Sequence, residues 1–302
     1  MLWLALSAVL PQGAPADTVI AKATAATTAL ADTAAARMAG FVPLALGRVQ
    51  DLSPFQGQHW IHRGRVMGDA RQPEAPSFAM FIPVAGAWQA VGVAYSSRIG
   101  HDQPVPTDLD GLTTPWHLHQ MCLGVPGEGP TLADGVDDCR ARGGTPTPRQ
   151  IAMVHAWTAS PNPQGSYAHD NVALPYLATG VTPPTAAEMA TADAVRRVRA
   201  LGLALGETYG ARMAYARRVE TLNEDSQLAE QLASHRAVLT ELVPGIIEER
   251  STPGPTPGPA ERRAVAEWEA IQELYRRMAP TQQVRAQLDR QHATALGDRH
   301  HH

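Results

Sequence analysis

The sequence predicts an α+β fold: a small, β-rich, antiparallel central unit with a helix before it and a helical bundle or hairpins after it. Three observations predict it. From about residue 41 to residue 184 the apolar residues come in short or alternating runs broken by Gly and Pro, the rhythm of strands and turns. Beyond residue 184 they recur at intervals of three and four, the rhythm of helices. Ahead of residue 41, an Ala-rich segment carries Val19, Ala23, Leu30, Ala34 and Met38 near helical spacing, with Gly40 where a C-terminal cap belongs.

Residues 1–16 read as an export signal. Residues 2–10 are a short apolar run, and Ala14-Pro15-Ala16 sets small residues at the two positions a signal peptidase reads. The chain is then expected in the periplasm or outside the cell. No segment reaches the roughly 20 apolar residues that a membrane-spanning helix needs. Residues 17–40 read as one N-terminal helix. The 302 residues suffice for one large domain or two modest ones.

In the β-rich domain, residues 41–184, the runs 59–66, 77–84, 88–96, 116–121 and 151–158 read as strands. The pair flanking Pro83-Val84-Ala85-Gly86-Ala87 reads as a hairpin. Residues 100–115 and 124–148 read as loops, the second acidic through Glu128, Asp134, Asp137 and Asp138.

The helical region is 185–297. Pro183-Pro184 stops the preceding chain, and Thr185 with Glu188 makes a capping box that predicts a helix running to about Leu222. Leu228, Leu232, His235, Leu239, Leu242 and Ile246 form the seam of an antiparallel bundle or coiled coil. Residues 251–259 contain Thr-Pro-Gly-Pro twice and predict a stiff, exposed linker. A further stripe follows at Val265, Trp268, Ile271, Tyr275 and Met278, and again at Val284, Leu288 and Ala295. A bundle buries these stripes, and the same faces suit a protein partner or a second copy of the chain. Residues 298–302 are a tail or tag, excluded from the argument.

Charge points away from nucleic acid. The formal net charge is -4, and the basic residues, nearly all Arg with Lys22 the only lysine, are interspersed with acids. Phosphate-binding glycine loops, a His-Glu-x-x-His helix and a Gly-x-Ser-x-Gly elbow do not occur.

The chemistry lies in the histidines. Seven of the nine outside the tail fall between His59 and His169, and two form Trp116-His117-Leu118-His119. Residues i and i+2 of a strand point the same way about 6–7 Å apart, so His117 and His119 can reach one ion from one face. In the run 151–157, His155 shares a face with Ile151, Met153 and Trp157, an inward-facing set. His169, after the Pro163-Gln164-Gly165 turn, is the best fourth candidate. The candidate metal ligands are therefore His117, His119, His155 and His169. His59 and His62, three apart on one strand, point to opposite faces and are weaker, and His101 lies in a loop. On the helical seam His235 reads as a core or edge histidine, while Asp289 and His292 are half of a carboxylate-histidine motif with no matching half. Imidazoles suit several transition metals, and Met121 and Met153 lie close in sequence; copper or zinc is the expected ion.

The only cysteines, Cys122 and Cys139, are separated by 16 residues and suggest a disulfide. The competing reading makes Cys122, three residues after His119, a thiolate ligand; on a regular strand it points away from His117 and His119.

The Trp-His-x-His run of residues 116–122, ending in Cys122, stands with His59-Trp60, with Met153-Val154-His155-Ala156-Trp157 and with the Pro163-x-Gly165-x-Tyr167-Ala168 turn leading to Asn171. In this combination residues 55–180 resemble a set of bacterial, often exported, proteins of uncharacterised function, a resemblance that implies no particular activity. The His-x-His pair followed by a Pro-x-Gly turn and a further His more distantly resembles the cupins, although no Glu follows His119 at the cupin spacing. The expectation is an exported metal-binding protein for storage, delivery or sensing. The alternatives are a metal-dependent enzyme, such as a cupin-like oxidoreductase or a hydrolase, and a helical interaction module with a structural β insert.

Overall fold

The computed structural model describes residues 15–46, 49–50, 52–126, 129–133, 135–213, 216, 219–220, 225–252 and 256–278. Most of the export-signal segment, Glu128, Asp134, Leu222, linker residues 253–255, the stripe at Val284, Leu288 and Ala295, the Asp289/His292 pair and the tail lie outside the described residues.

Two helices stand where one was expected, α1 (Pro15–Ala29) and α2 (Thr33–Met38). Asp32 makes the break. Its carboxylate accepts the amides of Ala34 and Ala35, both at 2.8 Å, and so starts a new helix. The apolar stripe is interrupted at that point: Val19, Ala23 and Leu30 are buried, as is Ala36, whereas Met38 is exposed.

Apart from several two-residue strands, the strands are β1 (Phe41–Pro43), β2 (Gly57–His62), β3 (Phe78–Val84), β4 (Ala87–Gly100), β5 (His117–Val125), β6 (Gly129–Ala133) and, after helix α3 (Val136–Ala141), β7 (Thr145–Ala156). They form one sheet in the order β1-β2-β3-β4-β7-β5-β6, with every neighbouring pair antiparallel. The β3–β4 hairpin turns on Ala85 and Gly86, both at positive φ, the backbone a tight two-residue hairpin requires. Two expectations need correction. The strand of residues 59–66 ends at His62, whose Nδ1 accepts the Arg65 amide and caps the helical turn Arg63–Val66. The loop of residues 124–148 contains β6 and α3, because Cys139 on α3 is tied to Cys122 on β5.

Pleating gives the sheet two buried faces. Trp60, Ala79, Phe81, Val93, Tyr95, Val154 and Ala156 lie on the face covered by α1 and α2. Phe78, Met80, Ile82, Ala94, Met153 and Trp157 lie on the other, together with Leu174 of α4 (Leu174–Ala178).

The helical region packs against this second side. The Thr185 capping box forms, with the Thr185 amide donating to Glu188 Oε2 at 2.8 Å, but it closes only the 3-10 turn Ala187–Met189. Arg250 holds the other oxygen of Glu188 at 3.0 Å, docking this turn on the end of a later helix. Helix α5 (Ala192–Thr208) begins afresh where Thr191 Oγ1 accepts the Ala194 amide, and it ends well before Leu222. With α6 (Ser226–Ser251) and α7 (Pro259–Met278) it encloses a core that includes Leu201, Leu205, Leu239, Ile246, Trp268 and Ile271. The buried seam of α6 takes Arg236 and Val243 in place of the expected His235 and Leu242. Gly202 of α5 makes the joint with the sheet unit: a Cβ there would stand 2.7 Å from the Phe55 ring. Among the described residues, no helix is long and apolar enough to cross a membrane.

Candidate metal centre

Register decides which histidines meet. His117 lies opposite Met153 and His119 opposite Ile151 in the β5–β7 ladder, so both share the face of Met153 and His155. Their rings stand edge to face, centroids 4.8 Å apart. The chain leaving β7 then turns back: Trp157 Nε1 donates to the Ala168 carbonyl at 2.7 Å, and the Asn171 amide donates to the Phe55 carbonyl at 2.8 Å. This return sets the His169 ring 4.4 Å from that of His117. One ligand nitrogen from each of His117, His119 and His169 lies within 4.8 Å of the others, and the group could hold a metal ion. His117 and His119 are half-buried and His169 is exposed, so the group opens to solvent on one side.

The donor chemistry fits an ion. His117 Nε2 is enclosed with no hydrogen-bond partner among the described residues, an arrangement that costs about 1–3 kcal/mol when nothing engages the atom. Burial, reinforced by the imidazoles of His169, His119 and His155, pushes the His117 ring well below the usual histidine range. It is therefore neutral near pH 7, the form that binds metal.

A carboxylate orients the third ring. Asp170 Oδ1 accepts from His169 Nδ1 at 3.0 Å and from Gln56 Nε2 at 3.0 Å. Its Oδ2 accepts both terminal nitrogens of Arg199, each at 3.0 Å. Burial alone would raise the Asp170 carboxyl, but the Arg199 charge and the bonds from His169 and Gln56 outweigh it and hold the group well below the usual carboxylate range. The ionised carboxylate fixes the proton on Nδ1, so the lone pair lies on Nε2, 3.4 Å from the Gln56 amide nitrogen. Arg199 comes from α5, buried over the Phe55 ring at 5.1 Å, so the helical region supports a side chain of the sheet unit.

His155 lies behind this group, its ring centroid 5.0 Å from that of His117. Its Nδ1 donates to the His169 carbonyl at 2.6 Å, and its Nε2 faces His59 Nε2 at 3.4 Å. Burial first, then the His59 and His169 rings, keeps it neutral as well. Of the four sequence candidates, His117, His119 and His169 thus share a possible ion, and His155 braces the loop carrying His169.

His59, ranked among the weaker candidates, joins the cluster. It pairs with Met80 and Ile61 pairs with Phe78, so the face of His59 is the histidine face, while Trp60 lies on the other. The opposite-face inference for His59 and His62 carried this information without saying which face mattered. Gln56, Asp170 and Arg199 were missed. Asp170 had a signal in its position next to His169; Arg199 had none, since only packing brings α5 there.

The remaining candidates lie elsewhere. His101 Nε2 is 2.9 Å from Gln120 Oε1, and His235 Nδ1 donates to Glu267 at 2.6 Å. Cys122 and Cys139 form a disulfide buried with Val125 and Ala133, which removes Cys122 from the possible ligands. Met153 is buried in the apolar cluster of its face.

No protein-family model, curated protein or solved structure matches this chain.

Proposed function

We propose that this chain is an exported metal-binding protein that holds copper or zinc through His117, His119 and His169, for storage, delivery or sensing. The observation that carries the reading is three imidazoles with ligand atoms within 4.8 Å of one another, one of them enclosed without a hydrogen-bond partner among the described residues. Three imidazole nitrogen donors suit zinc or copper and leave a further coordination position open. The disulfide supports an oxidising setting outside the cytoplasm.

The exposure of His169 favours a second reading. An ion open to solvent on that side can activate water or oxygen, which would make the protein a metal-dependent enzyme. Azide added to the cobalt-substituted protein separates the two: a shifted ligand-field spectrum marks an open position, and an unchanged one marks a closed storage site.

The test of metal binding uses the mature chain without its three terminal histidines. Changing His117→Ala together with His119→Ala should abolish stoichiometric binding of zinc or divalent copper in elemental analysis, and His235→Ala should leave it intact. Added metal should raise the melting temperature of the parent and not of the double variant, because binding stabilises only the state that binds. Equal metal content in parent and double variant overturns the reading.

A further inference from the structure

We propose that a second metal position lies beneath the first, between His59 and His155, and that it takes a monovalent copper ion. The inference rests on the metal-binding reading above and adds a site with its own donors.

Two imidazole nitrogens sharing a tetrahedral ion at about 2.0–2.1 Å stand about 3.3–3.4 Å apart. His59 Nε2 and His155 Nε2 are 3.4 Å apart. That spacing matches an ion edge and exceeds the roughly 2.7–3.2 Å of a good hydrogen bond from a ring nitrogen. His155 is set for the role. Its Nδ1 proton is committed to the His169 carbonyl at 2.6 Å, so its Nε2 carries the lone pair directed at His59. Metal-bound histidines are oriented in the same way, by a carbonyl or carboxylate on the second ring nitrogen.

The surroundings select the ion. His59 and His155 are 5% and 1% exposed. Charging such a pocket costs less for one positive charge than for two, since the cost of burying an ion grows with the square of its charge. The Asp170 carboxyl group, held by Arg199, stands instead behind His169, beside the outer group. Met80 is the direct register partner of His59, and Met153 that of His117; both are buried in the apolar layer of the histidine face. Thioethers in the same layer as imidazoles are the company monovalent copper prefers.

The experiment loads the two positions with different ions. The full chain without its terminal histidines is given one equivalent of zinc and then, anaerobically, excess monovalent copper held by a weak chelator; it is desalted and its metals are counted. One zinc and one copper per chain are expected. His59→Asn should retain zinc and lose copper, and His119→Ala should retain copper and lose zinc. Zinc alone, or copper gained at the expense of zinc with the total still one, overturns the second position and leaves the first standing. Neither ion bound overturns the metal-binding reading itself. Because His59 is buried, copper X-ray absorption on the parent holding one zinc and one copper asks the same question without a variant: an imidazole signature supports the site, and a shell without imidazole overturns it.

Discussion

The sheet unit and the helical bundle treat buried polar groups in opposite ways. In the bundle the buried charged side chains meet partners: Glu267 accepts from His235 and pairs with Arg263 at 2.6 Å, and buried Arg236 binds Glu207 and Glu220. On the histidine face, His59, His117, His119, His155 and His169 stand ring against ring, and the nearest carboxylate, Asp170, is bound to His169 Nδ1 at the rim. A guanidinium has no lone pair for an ion, and its carboxylate partners are already engaged. Imidazoles crowded together destabilise one another when protonated, and so present neutral nitrogens to a common point. A buried histidine is therefore informative according to the company it keeps.

The largest expected effect tests whether the two regions are separable. Trp268→Ala removes a buried anchor of the bundle and should cost about 3–5 kcal/mol in chemical denaturation, with metal bound per folded chain unchanged. Loss of metal in the folded variant would break the division between the regions. Reducing the Cys122–Cys139 bridge comes next. It reopens a loop across 17 residues and should lower stability by about 3 kcal/mol by the chain-entropy estimate. Metal stoichiometry should survive, since the bridge lies in its own buried cluster.

Asp170→Asn sharpens the comparison. Losing the charge that orients His169 should weaken metal binding by about 10–100-fold, read by competition with a chromogenic chelator. Glu267→Gln, the equivalent change at His235, should leave metal affinity alone. An equal effect of both would show that Asp170 matters only to folding.

The smallest effect is the pH dependence of the metal-free protein. His117 and His155 have ring pKa values depressed by folding, so below about pH 6.5 the unfolded chain binds protons that the folded chain refuses. Their contribution to stability is present above that pH and is lost as pH falls further. Each neutral ring contributes a slope of up to about 1.4 kcal/mol per pH unit in that window. Denaturation midpoints measured from pH 7 to pH 5 should fall more steeply for the parent than for His155→Gln, and parallel profiles would contradict the burial of a neutral ring.

Much of this was readable before any coordinates. The parity of His117 and His119, the inward face of His155, the hairpin at Ala85-Gly86 and the bridge between the two cysteines all follow from local periodicity and spacing. The failures have local causes too. Asp32 split the first helix because a carboxylate preceding two free amides starts a helix anew. The Thr185 box closed only one turn, and Thr191 caps a new helix just beyond it.

The sequence by itself determined directions: a period of two or of 3.6 states which side chains share a face, and it states this for each element alone. Which faces come together was decided by tertiary structure. The register of β2 against β3 made His59 a member of the cluster, and the turn after β7 carried His169 over His117 ahead of His155. Packing of α5 on Phe55 brought Arg199 to Asp170. Distances between elements depend on register and chain closure, which are settled by burying the whole core at once, and no local pattern encodes them.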